Sequence, residues 1–216
     1  MARKTKQQAG ETRRQIIDAA LTAFSEQGVS ATSLVDIAKQ AGVTRGAIYW
    51  HFKNKVDLFT EVCSITDTKI GFIEQEYRAK YPDNPLLVFK KILIYILTSV
   101  ASDPKMRAAI LSISFHKCEF TGEMSELITI RQNLYAAEYS RIESFLIESV
   151  TLGLLPSTLD LRRAAIMLRG MITGLLENWL FSSESFNISG QAEYLVDGYL
   201  DMLMLSKNMQ LPPADA

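Results

Sequence analysis

The chain has 216 residues, 48% of them apolar, and a formal net charge of −1. This length and composition suffice for one or two domains with a buried core. No apolar run has the length expected of a signal peptide or a membrane span, which argues against an exported or membrane-embedded protein. Cys63 and Cys118 lack CxxC spacing, so we expect two reduced, structural thiols in a cytoplasmic protein.

The charge is distributed unevenly along the chain. Residues 1–55 hold nine basic and four acidic side chains, a net charge of +5, and the remainder has a net charge of −6. A basic N-terminal quarter on an acidic body indicates a polyanionic partner at one end of the protein. A basic helix surface without a nucleic-acid partner is the alternative.

Apolar residues recur at intervals of three and four positions, which predicts an all-α fold. In chain order we expect a helix at 11–27, two short helices within 33–52, and six more at 55–80, 85–102, 104–117, 121–150, 160–182 and 188–206. Residues 207–216 are expected to form a flexible tail. The chain thus divides into a first domain at 10–70 and a second at 71–206.

Capping residues mark the helix boundaries. Ser33, Thr44 and Asn54 can each accept a hydrogen bond from the first turn of the helix that follows. Asn84 and Asp103 are each followed by a proline, which combines a capping side chain with a proline at the first helical position.

Ala38, Gly42 and Ile48 have the spacing of a helix-turn-helix. The small alanine lets two helices approach, the glycine makes the turn and the isoleucine packs inward. This pattern alone also occurs in small helical bundles. The polar side chains of the second helix of this motif favour a DNA-binding role over a simple helical bundle. Arg45 in its first turn can donate two hydrogen bonds to O6 and N7 of guanine.

The neighbouring side chains suit contacts with the DNA backbone. Gly46 allows a close approach, and the N-termini of helices two, three and four present amides to phosphates. Trp50 has two open roles, packing or DNA contact. The predicted DNA-binding residues are Ser33, Thr44, Arg45, Gly46, Tyr49, Trp50, His51 and Lys55.

Residues 44–55, Thr-Arg-Gly-Ala-Ile-Tyr-Trp-His-Phe-Lys-Asn-Lys, resemble the TetR family of bacterial repressors. Residues 1–6, 115–120, 162–170 and 175–181 are similar to its AcrR-like subgroup, which represses multidrug efflux pump operons. The resemblance implies a nine-helix fold and an Ω-shaped homodimer with N-terminal helix-turn-helix domains and C-terminal ligand-binding and dimerisation domains. It further implies phosphate contacts by Thr44, Gly46, Tyr49 and Lys55 and a base contact by Arg45.

The resemblance also implies an apolar cavity for drug-like ligands in the second domain. Asp67 is expected to meet a cationic drug, or else to be solvated or capping. Arg131 precedes Gln132, the reverse of the order usual in close relatives, and so introduces a positive group where a neutral amide is expected. The predicted ligand-binding residues are Asp67, Phe89, Leu93, Leu111, Phe115, Arg131, Tyr135, Glu138 and Met167.

Helix eight is apolar on two faces, which indicates that it packs on its own core and on a further partner. Gly170 and Gly174 would allow a second helix to come near. Together with an apolar stripe on helix nine, this predicts a two-fold, four-helix homodimer interface; a thick monomer core is the alternative. The predicted interface residues are Leu168, Met171, Leu175, Trp179, Leu195 and Tyr199.

The predicted function is a transcriptional repressor that binds a palindromic operator in double-stranded DNA. It would control a multidrug efflux operon and its own gene, and small apolar or cationic drug-like ligands would release it. The alternatives are a DNA-binding protein of the same fold with another metabolite signal, or one with an architectural role. His116 lacks a metal-ligand partner at helical spacing, and no nucleophile elbow or Gly-rich phosphate loop is present, so no metal, cofactor or enzyme activity is expected.

Overall fold

The computed structural model describes residues 6–114 and 126–212, and within these ranges it contains nine α-helices and no strand, which confirms the all-α fold. The helices are α1 (Lys6–Gln27), α2 (Leu34–Gln40), α3 (Arg45–His51), α4 (Lys55–Lys80), α5 (Pro85–Ser102), α6 (Pro104–Ser114), α7 (Glu126–Thr151), α8 (Leu161–Phe181) and α9 (Ile188–Leu205). α1 begins before its expected start at residue 11 and includes Gly10. Residues 115–125, where we expected the end of helix six and the start of helix seven, lie outside the described residues.

The helices begin at the capping side chains expected from the sequence. Ser33 and Thr44 each accept a hydrogen bond from the backbone N–H three positions on, at 3.1 and 3.2 Å. Asn54, Asn84 and Asp103 accept equivalent bonds at 2.8, 2.9 and 3.2 Å. Each bond satisfies a backbone donor that the helix itself leaves without a partner.

The turn between α2 and α3 is a Schellman motif centred on Gly42. The N–H of Val43 donates to the carbonyl of Ala38 at 3.0 Å, and the N–H of Gly42 donates to that of Lys39 at 3.2 Å. Gly42 has a φ of +67°, a conformation that disfavours residues with a Cβ atom. The turn therefore ends α2 and directs the chain into α3 after only a few residues.

One compact unit contains α1 to α3, α4 as far as Thr68, and α6. Its core includes Phe24, Ile37, Ile48 and Phe59, which are almost completely inaccessible to solvent. The rings of Phe24 and Phe59 meet edge to face with centroids 5.9 Å apart. This core joins α1, α2, α3 and the start of α4 into one body.

α6 belongs to the same unit as α1, although the sequence suggested a first domain that ends at residue 70. α6 packs against α1, its Met106 and Ala109 are buried, and Lys105 Nζ lies 2.7 Å from Asp18 Oδ1. Because α6 follows α1 only after four other helices, no local pattern in the sequence indicates this pairing.

The second compact unit contains α4 from Lys69, α5, α7 from Gln132, α8 and α9. α5 packs against α8 and α9, and α8 packs against α9. Phe89 of α5 and Phe145 of α7 stack with centroids 5.2 Å apart and an interplanar angle of 20°. These contacts assemble α5, α7, α8 and α9 around one apolar core.

α5 corrects the expectation that no apolar run has the length of a membrane span. Its 18 residues have a mean hydropathy of 1.6, so by length and composition it could cross a membrane. Its apolar side chains, Val88, Ile92, Leu97 and Val100 among them, are buried in the second unit. A helix in the core of a protein can have the same length and apolar character as a membrane span. The burial of α5 therefore explains its composition.

The segment after α9 is attached to the protein at 207–212, where we expected a flexible tail from residue 207. Lys207–Met209 forms a 3₁₀ turn with Met209 buried. The carbonyl of Met209 accepts a bond from Asp160 N–H at 2.8 Å, and the N–H of Leu211 donates to Thr158 at 2.7 Å. Burial of Met209 and backbone hydrogen bonds to residues preceding α8 thus hold residues 207–212 against the protein, where we expected a flexible tail.

Candidate functional site

The outward side of α3 carries the side chains that the sequence predicted for DNA reading. Ile48 is fully buried and holds the opposite side of this short helix on the core. Arg45, Gly46, Tyr49 and Trp50 are all exposed. The structure therefore brings four of the eight predicted DNA-binding residues together on one accessible surface.

Two aromatic contacts organise this surface. The Arg45 guanidinium lies 5.7 Å from the centroid of the Tyr49 ring, within the range of a cation–π interaction. Trp50 meets the ring of His51 edge to face at 4.5 Å and is 73% exposed. Trp50 does not pack into the core, and the other role predicted for it, contact with DNA, stays a prediction.

Gly46 lies in open space at the start of α3. A Cβ atom added there would meet nothing closer than Thr44 Oγ1 at 4.0 Å. The fold of the chain alone therefore does not require glycine at this position. A closely approaching molecule would benefit from the missing side chain.

The other predicted backbone-binding side chains have partners within the protein. Thr44 Oγ1 accepts the capping bond of α3, while Ser33 Oγ caps α2 and also donates to the carboxylate of Asp36. The ammonium of Lys55 donates to the carbonyls of Ser30 and Thr32 at 3.0 and 2.9 Å. His51 is half-buried.

An ion pair between α1 and α4, which no sequence pattern predicted, lies next to the residue that follows α3. Arg13 Nη1 donates to Glu61 Oε1 at 2.8 Å, and the same guanidinium lies 5.1 Å from the centroid of the Phe52 ring that ends α3. The hydrogen bond from Arg13 lowers the pKa of Glu61 below its usual value, although partial burial opposes this shift. No local spacing connects these residues, so only the tertiary structure reveals them.

The predicted ligand-binding residues fall into both compact units. Asp67 is exposed and Leu111 and Arg131 are half-buried, all in the first unit. In the second unit, Phe89 and Leu93 are buried in the core, whereas Met167 is exposed. Phe115 lies outside the described residues.

Tyr135 and Glu138, which were also predicted to bind the ligand, both contact an arginine side chain of the same chain. Arg169 of α8 pairs with the Glu138 carboxylate, and its guanidinium lies 4.0 Å from the centroid of the Tyr135 ring and 5.7 Å from that of Tyr139. Arg162 covers Tyr139 at 4.3 Å. Tyrosine rings and guanidinium groups therefore alternate along the seam between α7 and α8.

A four-residue charge network joins the C-terminal part of α4 to α7 within the second unit. Glu74 accepts hydrogen bonds from Arg78 Nε at 2.9 Å and Arg141 Nη2 at 2.8 Å, and Arg78 also donates to both oxygens of Glu148. Burial alone would raise the pKa of Glu74, but the bonds from Arg141 and Arg78 outweigh it and lower the pKa. The Arg78 guanidinium further covers the ring of Phe145 at 4.5 Å.

Three of the predicted dimer residues are buried inside the protomer, which corrects that part of the prediction. Leu168 is 1% exposed, Trp179 is buried, and the buried hydroxyl of Tyr199 donates to the carbonyl of Ala164 at 2.9 Å. These side chains face the core of their own chain and are unavailable to a second copy. The other three, Met171, Leu175 and Leu195, are half-buried.

The exposed apolar residues of α8 and α9 lie on the opposite side of these helices. We define the outer face of α8 and α9 by the residues Gly170 and Phe181 on α8 and Tyr194, Gly198 and Leu205 on α9, all exposed. A Cβ atom at Gly170 or Gly198 would meet no atom of the protomer within 4 Å. Glycine within a helix costs roughly 1 kcal/mol relative to alanine, and the protomer itself offers no reason for it.

Within residues 6–114 and 126–212 we find no group of three or more His, Cys, Asp or Glu side chains placed to hold a metal ion. Cys63 is buried and forms no disulfide within the described residues. His116 and Cys118 lie outside the described residues.

Two family models match the chain. The model of bacterial regulatory proteins of the tetR family matches residues 16–62. The model of the C-terminal region of MAATS-type transcriptional repressors matches residues 84–205. The first match includes α2 and α3, and the second extends from α5 to the end of α9.

Individual relatives match over nearly the whole length. The HTH-type transcriptional regulator AcrR of Shigella flexneri is 50% identical over 212 residues, covering 98% of this chain and 98% of the relative. The HTH-type transcriptional regulator TtgR of Pseudomonas putida is 39% identical over 206 residues, covering 95% and 98%. The crystal structure of NalD, the secondary repressor of the MexAB-OprM multidrug efflux pump in Pseudomonas aeruginosa, superposes with a TM-score of 0.77 at 29% identity, covering 93% of this chain and 100% of NalD.

Proposed function

This chain belongs to the TetR family of bacterial regulatory proteins, and we propose that it is a ligand-released repressor of a multidrug efflux operon and of its own gene. It would bind a palindromic operator as a cytoplasmic homodimer. Small apolar or cationic drug-like molecules would dissociate it from the DNA. No catalytic step is part of this function.

The outward side of α3 is the observation that carries the DNA-binding part of the proposal. Arg45 and Trp50 extend from a helix whose inner side is fixed by Ile48. Arg45 would read a guanine in the major groove, and the exposed Trp50 would contact an adjacent base or sugar. Thr44, Gly46, Tyr49, His51 and Lys55, with Ser33 at the start of α2, would contact phosphates that set the register of α3.

The outer face of α8 and α9 supports a homodimer. Exposed apolar side chains on the outer sides of two packed helices are typical of a protein interface. Gly170 and Gly198 would let the helices of a second copy approach closely. A dimer would present two α3 helices to half-sites about 34–36 Å apart, which is one turn of B-DNA.

The continuity of α4 supports control by a ligand. This helix runs from Lys55, in the unit that contains α3, to Lys80, in the unit that contains α8 and α9. A ligand that shifts α4 would change the separation of the two α3 helices and so weaken operator binding. By thermodynamic reciprocity, operator DNA would weaken ligand binding by the same factor, typically about 5- to 150-fold.

The ligand class follows from the residues proposed to contact it. Asp67 would attract a cationic group, and Phe89, Leu93, Leu111 and Met167 would supply apolar contacts. Tyr135, Glu138, Arg131 and Phe115 complete the proposed set. A ligand that uses Glu138 would have to displace Arg169 from its carboxylate.

The test is fluorescence anisotropy with a labelled duplex from the region upstream of the gene. We expect nanomolar to subnanomolar binding, typical of specific recognition, and release on addition of ethidium as a cationic probe. Asp67→Ala should weaken ethidium binding more than that of a neutral apolar ligand. If saturating ethidium and neutral drugs all leave operator affinity unchanged, release by drug-like ligands is refuted, and a protein of the same fold with another metabolite signal or with an architectural role would then fit better.

A further inference from the structure

Arg13 lies on the side of α1 that faces the core of the first unit. It precedes Ile16 by three positions and Ala20 by seven, and both of these residues are fully buried. Residues at these spacings share one face of a helix. Arg13 itself is half-buried. A charged side chain therefore extends the inward-facing side of α1.

The guanidinium of Arg13 contacts the chain on both sides of the short connection between α3 and α4. On one side it lies 5.1 Å from the ring centroid of Phe52, the residue that caps the end of α3 and donates its backbone N–H to the carbonyl of Ile48 at 2.9 Å. On the other side it donates to the carboxylate of Glu61 on α4 at 2.8 Å. Only two residues separate Phe52 from the start of α4. One side chain thus restrains the end of α3 and the first half of α4 together.

We propose that Arg13 is a positioning residue for DNA recognition, which sets the angle between α3 and α4 and thereby the register of Arg45 in the major groove. This inference rests on the proposed DNA-binding function. Phe52 and Ile48 are both buried, one helical turn apart at the end of α3. A shift of the Phe52 ring would therefore tilt α3. Because a base is read by paired hydrogen bonds of fixed geometry, a small tilt would cost affinity for the correct sequence.

A direct phosphate contact is the competing role for Arg13. Its guanidinium would have to leave Glu61, whose side chain is only 35% exposed. The hydrogen bond with Glu61 raises the pKa of Arg13, burial opposes this shift, and the charge of Asp57 raises the pKa further. A phosphate brought to the same guanidinium would be repelled by both carboxylates. The contacts with Glu61 and Phe52 are therefore the more stable arrangement of Arg13.

The exposure of the ion pair predicts that its loss leaves the protein folded. The side chains of Arg13 and Glu61 are 41% and 35% exposed, so solvent screens their attraction. Pairs of this kind contribute little to overall stability. The effect of breaking this pair should therefore appear in the placement of α3, and so in DNA affinity, more than in the melting temperature.

The experiment measures DNA affinity by fluorescence anisotropy for Arg13→Met, Glu61→Gln and the double variant over a series of salt concentrations. Each protein is tested on the duplex from the region upstream of the gene, here called the upstream fragment, and on a random duplex of the same length. Arg14→Met controls for the loss of one positive charge, because Arg14 is the next residue of α1 and its side chain is 74% exposed. Glu26→Gln, at an exposed position of the same helix, controls for the loss of one negative charge. Circular dichroism establishes the temperature at which every variant is folded.

For Arg13→Met we expect about a tenfold loss of affinity for the upstream fragment relative to Arg14→Met, a typical size for residues in contact. Its affinity for random DNA and its salt slope should match those of Arg14→Met. Glu61→Gln should show a smaller loss in the same direction relative to Glu26→Gln, because the contact of Arg13 with Phe52 remains. The double variant should lose no more than Arg13→Met, since both substitutions break the same contact.

A phosphate contact by Arg13 predicts the opposite sign for Glu61→Gln. Arg13→Met would then lose affinity on both duplexes, with the salt slope lowered by about 0.9 relative to wild type. Glu61→Gln would gain affinity, because a carboxylate that competes with the phosphate has been removed. This result, with a clear wild-type preference for the upstream fragment, would refute the inference alone.

Three further outcomes also overturn the inference. An unchanged affinity of Glu61→Gln would show that the ion pair does not place α3. A lower melting temperature with unchanged affinity of the folded variants would make Arg13 merely structural. A wild-type protein without preference for the upstream fragment would refute the repressor proposal and this inference together.

Discussion

Replacing Glu74 by glutamine tests the charge network between α4 and α7. The substitution preserves the shape of the side chain but removes its negative charge. Arg78 and Arg141 then keep their positive charges on either side of a neutral amide. We expect the second unit to lose stability and α4 to be held less firmly against α7.

The structure bounds the size of this loss. The Glu74 side chain is 20% exposed, whereas the side chains of Arg78 and Arg141 are 38% and 36% exposed. Removing one partner of a fully buried pair costs about 3–5 kcal/mol, and an exposed pair contributes about 0–1 kcal/mol. For this intermediate case we expect a loss of about 1–2 kcal/mol, or about 2–8 °C in melting temperature for a chain of this size.

The loss should depend on pH in a defined direction. The pKa of Glu74 is lower in the folded protein than its ordinary value, so its stabilising effect is fully present above the unfolded pKa of about 4.3. The effect disappears as the pH falls through the lower, folded pKa. The difference between wild type and Glu74→Gln should therefore stay constant from about pH 7 to 5 and shrink below about pH 4.

Thermal unfolding followed by circular dichroism at fixed protein concentration measures this difference. Glu76→Gln is the matched control, because Glu76 lies exposed on the same helix and its substitution changes the net charge equally. Equal melting temperatures of the two variants would refute the stabilising role of the network. A difference that persists unchanged at acid pH would show that the charge of Glu74 is not its source.

Three other substitutions test the proposed surfaces. Arg45→Ala should cost about 1–3 kcal/mol at one base position, measured with single-base variants of the upstream fragment; equal weakening on all of them would assign Arg45 to a phosphate. Phe181→Glu, on a side chain that is 83% exposed in the protomer, should shift the protein toward monomers in light scattering, and an unchanged dimer would exclude the outer face of α8 and α9. Arg169→Ala should uncover Tyr135 and Glu138 and tighten ethidium binding about 2- to 30-fold, the range of a desolvated cation–π contact; weaker binding would contradict the idea that Arg169 occupies a cation site.

The local chemistry of helix ends was predictable from the sequence alone. Thr44, Asn84 and Asp103 cap their helices because each needs only the backbone a few positions away, and Gly42 ends α2 for an equally local reason. The inward packing of Ile48 follows from helical periodicity, and with it the outward position of Arg45. These features are encoded within a few residues and so can be deduced without a tertiary structure.

Contacts between distant segments could not be deduced in this way. α8 is apolar on two sides, and periodicity does not distinguish the side that faces its own core. Periodicity alone therefore places Leu168 and Trp179 against a partner, whereas the structure buries both in their own protomer. Two hydrogen bonds likewise join residues that are far apart in the chain, from Arg13 to Glu61 and from Lys55 to the carbonyl of Thr32.

The pairing of α6 with α1 has a consequence for how such proteins can be recombined. The unit that contains α3 is built from two stretches of chain, of which the structure describes residues 6–68 in the first and residues 103–114 and 126–131 in the second. A fragment of the first stretch alone would expose the side of α1 that α6 covers. Chimeras that transplant operator specificity between relatives therefore need both stretches from one parent. Changes confined to the outward side of α3 avoid this constraint, because those residues contribute little to packing and can vary while the assembly beneath them stays intact.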